Sequence, residues 1–568
     1  MIRMNKPLDS KTITTEIAIG SFIIVCFSVL LLWRATRGFD WSDDTYASAI
    51  VCRILQGDAL FKEIWDIHQF SAVILVPLFW IYGRIAGTTG LILFSRIFMV
   101  LVLSAESICV FLRFRKNSGC IWSTLAAILL LSFGCNFGLT YNTMMIEAFL
   151  LAFLLIPTSS NDKWKNTRYL FSGFISATAV QAYPTTIIVL VIFLIYIRKK
   201  ERNYRRAITM YISGCLFVAL KFLIFLSINS SFDAAIHNLH YLFMDPEHSS
   251  KHFSIIDHVK SIIAMIRLPG ILILIAYLTA LVSRFTKLAN KKLLSNLAIY
   301  ALVAFIMVDV LSTSRSFGKN EIKYHLYFSI SLLLPVVWLL QGTKWDDLLF
   351  IWIASVFASV AVNMATNNGA SFYVYPYLFA AMATLLYIGK TIKLSFATNN
   401  LRERILRKGT IVLSYAMVLF VFLSGFLYTY RDDKLESLDT QLKSGPAAGL
   451  FTTQTHAEQY QLTIDTINEY VPINANVLYT KLLPFGYMCS ETRPATPRLW
   501  RTNLDYELFE EYYQINPQKK PDAIYIVNES YGITNEGSVI GDYMQQYIDN
   551  TPHETIELTC GTIIRFLD

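Results

Sequence analysis

Two adjacent aspartates stand just after the first apolar stretch of the chain. The apolar stretch covers 17–33, and the segment FDWSDDTYAS at 39–48 then brings Asp40, Asp43 and Asp44 close together. Carboxylates at a membrane surface are suited to accept a proton from a substrate or to hold a divalent metal ion. We therefore treat Asp43 and Asp44 as the candidate catalytic pair, with magnesium or manganese as the metal that the pair could hold.

The same residue types also suit the start of a helix. A Ser or Asp side chain can accept hydrogen bonds from free backbone N–H groups, and acids stabilise a first turn. Ser42 and the two acids therefore predict a helix start, with the segment TYASAIVCRILQG ending at Gly57. Capping needs only one acid, so the adjacent pair favours a functional role, and Asp40 is expected to be peripheral.

The composition is that of an integral membrane protein. Of the 568 residues, 54% are hydrophobic and 16% are charged, and the mean hydropathy is +0.45. In a soluble domain, charged residues alone make up roughly a quarter. The net charge of +8 does not indicate nucleic-acid binding, because the Lys and Arg residues stand in short runs between apolar segments.

Apolar stretches near the roughly 20 residues that span a bilayer predict about thirteen transmembrane helices. Lys and Arg are enriched in cytoplasmic loops, and basic runs such as RKKERNYRR at 198–206 occur at every second connection. The amino terminus is therefore predicted to be cytoplasmic and the carboxyl terminus outside the plasma (inner) membrane. The predicted spans are 17–33, 90–112, 121–140, 144–157, 169–182, 184–197, 207–227, 262–283, 294–312, 324–341, 347–363, 371–389 and 410–429.

One further apolar segment, 70–86, is about as long as the weaker spans and contains Pro77. Counting it as a crossing would place the basic cluster at 113–116 outside and invert every later connection. We predict instead that it is a juxtamembrane helix or a re-entrant segment, so that the first outer loop runs over 34–90.

The composition changes at Tyr430, after which 430–568 is polar and contains no predicted span. A predicted helix at 456–471 is followed by the strand-like segments NANVLYTKLL and DAIYIVNES, which favours a small α/β domain. We divide the chain into a transmembrane domain, 1–429, and a soluble extracytoplasmic α/β domain, 430–568. The second is expected to recognise an acceptor or to act as a structural cap.

The order of these features resembles the membrane glycosyltransferases of the C-type fold, in particular the protein O-mannosyltransferases and the bacterial aminoarabinose transferases. The likeness is carried by DDTYASAIVCRILQGD, WDIHQFSAVILVPLFWIYGRIAG and FSRIFMVLVLSAESICVFLRFRK, and it is strongest over 40–160. It implies transfer of a sugar from a polyprenyl-phosphate carrier to a lipid, glycan or protein acceptor on the outer face of the membrane. We expect inversion at the anomeric carbon, with Asp43 or Asp44 as the base.

The resemblance also assigns site residues. The Asp-Glu pair of those families falls on Asp43 and Asp44, with Asp in place of Glu at the second position. Their second-loop acid matches Glu147 in TYNTMMIEA, although Asp is more usual there, and an interfacial acid at a helix end is an equal alternative. His68 stands where those families have Lys-Pro-Pro and would contact the carrier phosphate.

Further candidates for the carrier phosphate are cations predicted to lie outside the membrane. Arg53 and Lys62 belong to the first outer loop, and the segment KYHLYFSISLLLP at 323–335 adds Lys323 and His325 through the resemblance. Fixed positive charge stabilises a leaving phosphate most where water is excluded. Each cation has snorkelling at the membrane surface as its alternative role.

A histidine-rich loop follows the span at 207–227. Five of the nine histidines fall there, with acids beside them, and we interpret His237 and His240 as part of a loop that clamps the acceptor or the carrier. A solvated interfacial loop is equally compatible, and a zinc site is less so. The five residues are His237, His240, His248, His252 and His258.

Other functions remain open from the sequence. A transporter would need charged residues within its spans and usually internal repeats. The candidates are Arg96, Glu106 and Asp309, and each lies close enough to a span end, or to a partner, to be structural. A carrier-linked polysaccharide polymerase or ligase would instead depend on arginines in a large late loop. A membrane scaffold would leave Asp43 and Asp44 without a role.

Overall fold

The computed structural model describes most of the chain, and everything below refers to the described residues. The helices form one large bundle, and a smaller helix-and-sheet region follows its last helix. The described residues are 10–135, 138–158, 162–244, 278, 320–341, 346–365, 375–395, 401–480, 483–489, 491–500, 504–528 and 540–567.

The described part of the bundle contains fifteen α-helices, labelled α1 to α15 in chain order. The long helix α4 lies near the centre and packs against α1, α5 and α6. In order, the helices are Ser10–Ala35, Asp43–Leu55, Gln69–Ala86, Leu91–Ser118, Cys120–Leu131, Tyr141–Leu155, Lys165–Ala182, Ile188–Lys200, Tyr204–Asn229, Phe232–Asn238, Asn320–Ser331, Leu333–Gln341, Asp347–Met364, Tyr377–Ser395 and Leu401–Leu427.

Within the described residues, six helices are long and apolar enough to cross a membrane, and four shorter apolar helices accompany them. Eleven of the thirteen predicted spans coincide with described helices, whereas 262–283 and 294–312 lie almost wholly outside the described residues. The predicted fold class, a polytopic helical membrane protein with a carboxyl-terminal α/β region, is therefore confirmed. The side of the membrane on which each end lies stays a prediction.

Helix α3 covers the segment that we interpreted as juxtamembrane or re-entrant. It is one unbroken helix through Pro77, and it is among the six helices that are long and apolar enough to cross a membrane. Its amino-terminal half is held to α7, where the Gln181 amide donates to the Phe70 carbonyl at 3.1 Å. Its carboxyl-terminal half is exposed at Ile81 and Ile85.

The carboxyl-terminal region contains a five-stranded mixed sheet with the strand order β4-β3-β5-β7-β6. Strand β3 is parallel to β4 and β5, and β7 is antiparallel to β5 and β6. The strands β1 to β7 are Thr440–Gln441, Phe451–Thr452, Asn476–Tyr479, Arg493–Pro494, Ala523–Val527, His553–Leu558 and Gly561–Phe566, and the helices α16 to α19 are Gln454–Tyr470, Gly486–Cys489, Tyr506–Ile515 and Asp542–Asn550.

Main-chain contacts hold this region against the segment that follows α1. The Arg34 side chain is 1% exposed and donates to the carbonyls of Phe426, at 2.7 Å, and Tyr428 at the end of α15. The Phe451 N–H donates to the Thr36 carbonyl at 2.8 Å. The end of α15 is therefore brought beside the start of α2.

A second contact joins the region to the first loop further along. The Trp65 ring stacks on Tyr241 with centroids 4.0 Å apart and packs edge-on to Tyr512 of α18. The Arg498 guanidinium donates to the Trp65 carbonyl at 3.0 Å and to the Tyr241 carbonyl. The loop between α2 and α3 is thus buried under the carboxyl-terminal region.

Candidate active site

Helix α2 begins at Asp43, as the sequence predicts, but the residue that caps it is Asp40. The Asp40 carboxylate accepts the backbone N–H groups of Ser42, at 3.3 Å, and Asp43, at 2.5 Å, whereas the Ser42 side chain makes no capping bond. The helix ends at Leu55, and Gly57 follows in a left-handed conformation with φ +102°. The Asp40 side chain is fully buried at the start of the helix, where it has a structural role, and its peripheral place in the chemistry stays a prediction.

Asp44 and Arg96 form a buried ion pair. Asp44 Oδ2 lies 2.5 Å from Arg96 Nη2, and their side chains are 4% and 2% exposed. Arg96 also donates to the carbonyls of Ala35, at 3.0 Å, and Gly38, at 2.8 Å. These bonds tie α2 and the end of α1 to α4, so the Asp44 carboxylate is occupied by a structural partner.

The Asp43 carboxylate takes a different direction and is 41% exposed. It accepts a hydrogen bond from the Tyr430 hydroxyl, and its Oδ2 lies 3.5 Å from Arg431 Nη1. Burial, with a further contribution from the Asp43 charge, raises the pKa of the Tyr430 hydroxyl, so Tyr430 remains a donor. Asp43 is thus a partly exposed carboxylate with a hydroxyl donor and a guanidinium beside it.

Arg431 is held in an unusual backbone conformation. Its φ is +50°, in the left-handed region that costs a residue other than glycine of order 1–3 kcal/mol. Its guanidinium carbon lies 5.1 Å from the Tyr430 ring centroid and 5.9 Å from that of Trp500, and Nη1 donates to the Ser42 hydroxyl. The side chain is 26% exposed, so a cation is presented at the surface of the site rather than buried in it.

A row of rings extends from Arg431 towards the helix bundle. Trp500 lies 5.1 Å from Tyr46, Tyr46 lies 5.5 Å from His68, and His68 packs edge-on to Tyr141 at 4.0 Å. Rings of this kind offer an apolar face together with a polar edge. The row therefore forms one wall of the site, built from α2, the start of α3, the start of α6 and the loop after β4.

Asp432 fixes the backbone next to Arg431. Its side chain is fully buried and accepts from the Phe39 N–H at 2.8 Å, the Thr452 hydroxyl at 2.9 Å and His456 Nδ1 at 2.9 Å. The hydrogen bond from Asp432 raises the pKa of His456. The charged form of His456 therefore stabilises the fold at low pH, and this stabilisation is lost as the pH rises through the folded-state pKa.

The raised pKa of the Asp40 carboxyl predicts that the stability of the folded state depends on pH. Burial, and then the neighbouring charges of Asp43 and Asp44, raise the pKa of Asp40 from 3.8 to about 7. Because the folded state holds this proton more tightly, stability from this group is complete below about pH 4 and is lost as the pH rises through 7. Asp40→Asn should flatten the fall in thermal stability over this range, by up to about 4 kcal/mol at 1.36 kcal/mol for each pKa unit.

Thermal unfolding of the purified protein between pH 4 and 8 measures this effect. Asp549→Asn, which removes an exposed acid of the carboxyl-terminal region, is the control and should leave the pH profile unchanged. An Asp40→Asn profile parallel to that of the wild type would mean that Asp40 does not hold a proton in the folded state.

Glu147, the predicted second acid, lies away from this cluster. The capping box of Thr140 and Thr143 starts α6 six residues earlier than Glu147, so the glutamate is inside a helix and not in a loop. At 1.5 Å per residue it is roughly 9 Å along the helix from the row of rings. Its side chain is buried, and its Oε1 has no hydrogen-bond partner among the described residues.

Two of the predicted carrier-binding cations, Arg53 and Lys62, differ in how deeply they are buried. Arg53 is fully buried and donates to Asp58 Oδ2 at 2.6 Å, the Glu63 carbonyl at 2.6 Å and the Tyr512 hydroxyl at 3.2 Å. It therefore joins the first loop to the carboxyl-terminal region and is enclosed by protein. The Lys62 side chain is 50% exposed, with its Nζ 3.9 Å from Glu63 Oε1.

His68 is the predicted phosphate ligand that lies within the row of rings. Its side chain is 18% exposed, and its Nδ1 lies 3.3 Å from Asp66 Oδ1. Lys323 and His325, on α11, are buried, and Lys323 Nζ lies 5.0 Å from the Tyr324 ring centroid. Tyr324 packs edge-on to Tyr375 at 5.1 Å, which brings the start of α11 towards the site.

Tyr375 is within electrostatic reach of the Asp43 carboxylate. The start of α11 is therefore one aromatic layer away from the accessible carboxylate.

The two histidines predicted to clamp a substrate belong to α10 and the turn after it. The His237 side chain is 72% exposed with its Nδ1 3.1 Å from Asp233 Oδ1, and the His240 ring packs on Tyr241 at 3.9 Å. They lie beside the Trp65 contact and not in the row of rings. The other three members of the cluster, His248, His252 and His258, lie outside the described residues.

A divalent metal has no ready set of ligands in the described structure. The described residues contain no group of three or more His, Cys, Asp and Glu side chains arranged to hold a metal ion. Asp43 and Asp44 are adjacent in sequence, but Asp44 is turned to Arg96 and Asp43 to Tyr430 and Arg431. The pair therefore does not fit a shared ion in this arrangement, and the magnesium or manganese site stays a prediction.

The sequence analysis did not assign Tyr430, Arg431 and Trp500 to the site. All three follow the last helix of the bundle, 387 or more positions after Asp43. The one available signal was the polar run RDDK after α15, which marks a boundary but not a partner for Asp43.

Comparison with known proteins gives structural matches only. No protein-family model matches the chain, and no curated protein matches it. The oligosaccharyltransferase of Archaeoglobus fulgidus, in a complex with Zn and sulfate, is 10% identical with a TM-score of 0.49, over 97% of this chain and 73% of that one. ArnT from Cupriavidus metallidurans in its apo state is 12% identical with a TM-score of 0.45, over 96% of this chain and 97% of that one.

A third match is also an oligosaccharyltransferase from Archaeoglobus fulgidus. The archaeal oligosaccharyltransferase AglB in complex with an inhibitory peptide and a dolichol-phosphate is 10% identical, with a TM-score of 0.45. The match covers 98% of this chain and 74% of the AglB chain. The chain is thus similar, at 10–12% identity, to solved structures of an archaeal oligosaccharyltransferase and of ArnT.

Proposed function

We propose that the protein is a membrane glycosyltransferase that transfers a sugar from a polyprenyl-phosphate carrier to a hydroxyl or amine of a lipid, glycan or protein acceptor. The observation that carries the proposal is the Asp43 carboxylate, which is 41% exposed and lies 3.5 Å from the Arg431 guanidinium. A base and a cation side by side are what a single displacement of a glycosyl phosphate requires.

Asp43 is the base in this proposal. It takes the proton from the acceptor while the acceptor oxygen or nitrogen bonds to the anomeric carbon, and the bond from that carbon to the phosphate oxygen breaks on the opposite face. The product is inverted at the anomeric carbon. The phosphate leaves as a stable anion, so no acid is needed on that side. Tyr430, which donates to the carboxylate, orients it.

Arg431 is the cation that receives the carrier phosphate. It is partly exposed, whereas Arg53 and Arg96 are buried in ion pairs with Asp58 and Asp44. His68 and Lys323 remain secondary candidates, because His68 belongs to the row of rings and Lys323 lies beside Tyr324, which packs on Tyr375. The ring faces of Trp500 and Tyr46 suit the apolar faces of a sugar.

This proposal includes a division of the chain. Residues 1–429 form the transmembrane part, and 430–568 form a domain on the outer side of the membrane that supplies Tyr430, Arg431 and Trp500. The support is the burial of the loop after α2 by this region, through Trp65 and Arg498. The amino terminus is then cytoplasmic, in agreement with the basic loops.

Arg431→Gln should weaken binding of the sugar donor more than it slows the chemical step. Charge-assisted hydrogen bonds contribute about 1.5–3 kcal/mol, so we expect KM for the donor to rise by about 10–100-fold, with a smaller fall in kcat. Arg431→Lys should recover part of the loss. Lys434→Gln, an exposed cation in the same segment, is the matched control and should behave as wild type. Equal kinetics for Arg431→Gln and the wild type would remove Arg431 from the donor site.

The proposed reaction can be tested with the full-length protein purified in detergent or reconstituted in vesicles. Radiolabelled polyprenyl-phosphate sugars are supplied with lipid, glycan and peptide acceptors, and the labelled product is separated from the donor. Transfer of the label supports the proposal, and the anomeric configuration of the product tests inversion. The same assay with a chelator, followed by added magnesium or manganese, tests the metal prediction. If no donor is consumed although the protein is folded, the proposal fails.

A further inference from the structure

A second group of positive side chains lies at the opposite end of the helix bundle from Asp43. Arg113 is on α4, roughly 25 Å along the helix from Arg96. Lys199 and Lys200 are in the last turn of α8, and Arg168 is in the first turn of α7. We call this the basic end. Because Lys and Arg are enriched in cytoplasmic loops, we expect the basic end to lie on the cytoplasmic side of the membrane.

An apolar cleft opens between α6, α8, α13 and α14, next to the basic end. Its walls include Phe153 from α6, Tyr196 from α8, and Phe350 and Ala354 from α13. The one hydroxyl of its walls besides Tyr196, that of Ser355, donates to the Pro376 carbonyl. Because a water molecule needs several polar partners, this lining favours a hydrocarbon chain over water.

Three cations each contact a ring that lines this cleft. The Arg113 guanidinium carbon lies 4.7 Å from the Phe153 ring centroid, and Lys199 Nζ lies 5.7 Å from that of Phe350. Lys200 Nζ donates to the Tyr196 hydroxyl at 2.7 Å. The cations therefore surround one end of the apolar cleft.

Two cations of the basic end form ion pairs with acids. Asp347 pairs with Lys200 at 2.8 Å, and Asp162 pairs with Arg168 at 2.8 Å. Arg113 Nη1 donates to the carbonyls of Phe153, at 3.1 Å, and Leu154, at 2.7 Å, and no carboxylate among the described residues pairs with it.

The other two guanidinium nitrogens of Arg113, Nε and Nη2, take no part in these hydrogen bonds. Both are buried and have no hydrogen-bond partner among the described residues. Buried N–H groups of a cation are costly to leave unpaired, and phosphate oxygens are suited to accept from them.

We propose that this cleft binds an anionic phospholipid of the leaflet at the basic end. Its phosphate accepts hydrogen bonds from Arg113, with Lys199 and Lys200 beside it, and one acyl chain lies in the cleft between Phe153 and Phe350. Charge complementarity selects this occupant, because the mouth is cationic and the interior apolar, and anionic lipids are supplied by the membrane itself. The site is separate from Asp43 and does not depend on the proposed function.

Native mass spectrometry of the purified full-length protein tests this site. The protein is titrated with phosphatidylglycerol and, separately, with phosphatidylcholine that carries the same acyl chains. The wild type should retain phosphatidylglycerol with about tenfold higher affinity. Arg113→Gln should lose this preference, and Arg113→Lys should keep most of it. Arg205→Gln removes an exposed cation at the start of α9 and should bind as the wild type does.

A variant that leaves all charges in place gives an independent result. Ala354→Leu adds only apolar atoms to the cleft wall and should lower retention of phosphatidylglycerol about tenfold. Circular dichroism and gel filtration establish whether each variant is folded. If Arg113→Gln does not fold, the retention of phosphatidylglycerol by Ala354→Leu tests the proposal instead. Equal retention of the two lipids by the wild type, or wild-type retention of phosphatidylglycerol by folded Ala354→Leu, would overturn the proposal.

Discussion

Asp43→Asn is expected to reduce sugar transfer by about 10²–10⁴-fold, the range that a positioned general base contributes. The amide cannot take a proton from the acceptor, but it keeps the shape of the side chain and the hydrogen bond from Tyr430. Because Asp43 is 41% exposed, the variant should fold with near-normal stability. The measurement is product formation by purified protein at saturating donor, with thermal unfolding recorded on the same samples.

The matched control is Asp433→Asn, which removes an exposed acid close to Arg431 in sequence but outside the cluster. It should transfer sugar at the wild-type rate, and Asp43→Glu should recover part of the lost activity. An Asp43→Asn protein with wild-type turnover would show that another group, or no protein group, removes the proton.

Asp44→Asn is expected to act on stability. The Asp44 and Arg96 side chains are 4% and 2% exposed, so loss of the carboxylate leaves a buried guanidinium without its counter-charge. Breaking a buried pair in this way costs about 3–5 kcal/mol. Thermal unfolding in detergent should show a clear fall in the midpoint for Asp44→Asn and little change for Asp43→Asn, although the residues are adjacent.

A double-mutant cycle separates this effect from a general disturbance of α2. Arg96→Gln alone should also destabilise the protein, whereas Asp44→Asn with Arg96→Gln should lose less stability than the sum of the two single changes. Strictly additive losses would mean that the 2.5 Å contact between Asp44 and Arg96 contributes little coupling energy.

Much of the helical bundle could be predicted from the sequence, because lipid requires continuous apolar helices and this requirement is visible in composition. Helix α9, Tyr204–Asn229, covers the predicted span 207–227, and helix α15, Leu401–Leu427, covers all but the last two residues of 410–429. Both have basic residues at their starts. The helix-and-sheet character after Tyr430 was also predictable, because short apolar runs rich in β-branched and aromatic residues, such as that in DAIYIVNES, form strands. The pairing order of those strands was not, since it depends on contacts distant in sequence.

Only those site residues that lie close together in the sequence were predictable. Helix capping and adjacency identified Asp43 and Asp44, but their opposite orientations follow from Arg96 on α4 and from Tyr430 after α15. The capping role of Asp40 was not predicted, because it depends on backbone N–H groups that become available only when α2 forms. Arg431 could not be found because nothing in its local sequence indicates that the end of α15 returns to the first loop.

The central claim is that Asp43, and not Asp44, is the base of a glycosyl transfer. The direct measurement is turnover for each folded molecule of Asp43→Asn and Asp44→Asn, reconstituted in the same vesicles with the same labelled polyprenyl-phosphate sugar. We predict that Asp43→Asn retains about 1% of wild-type turnover or less, whereas folded Asp44→Asn retains most of it. The reverse order, with Asp43→Asn active and folded Asp44→Asn inactive, would contradict the assignment.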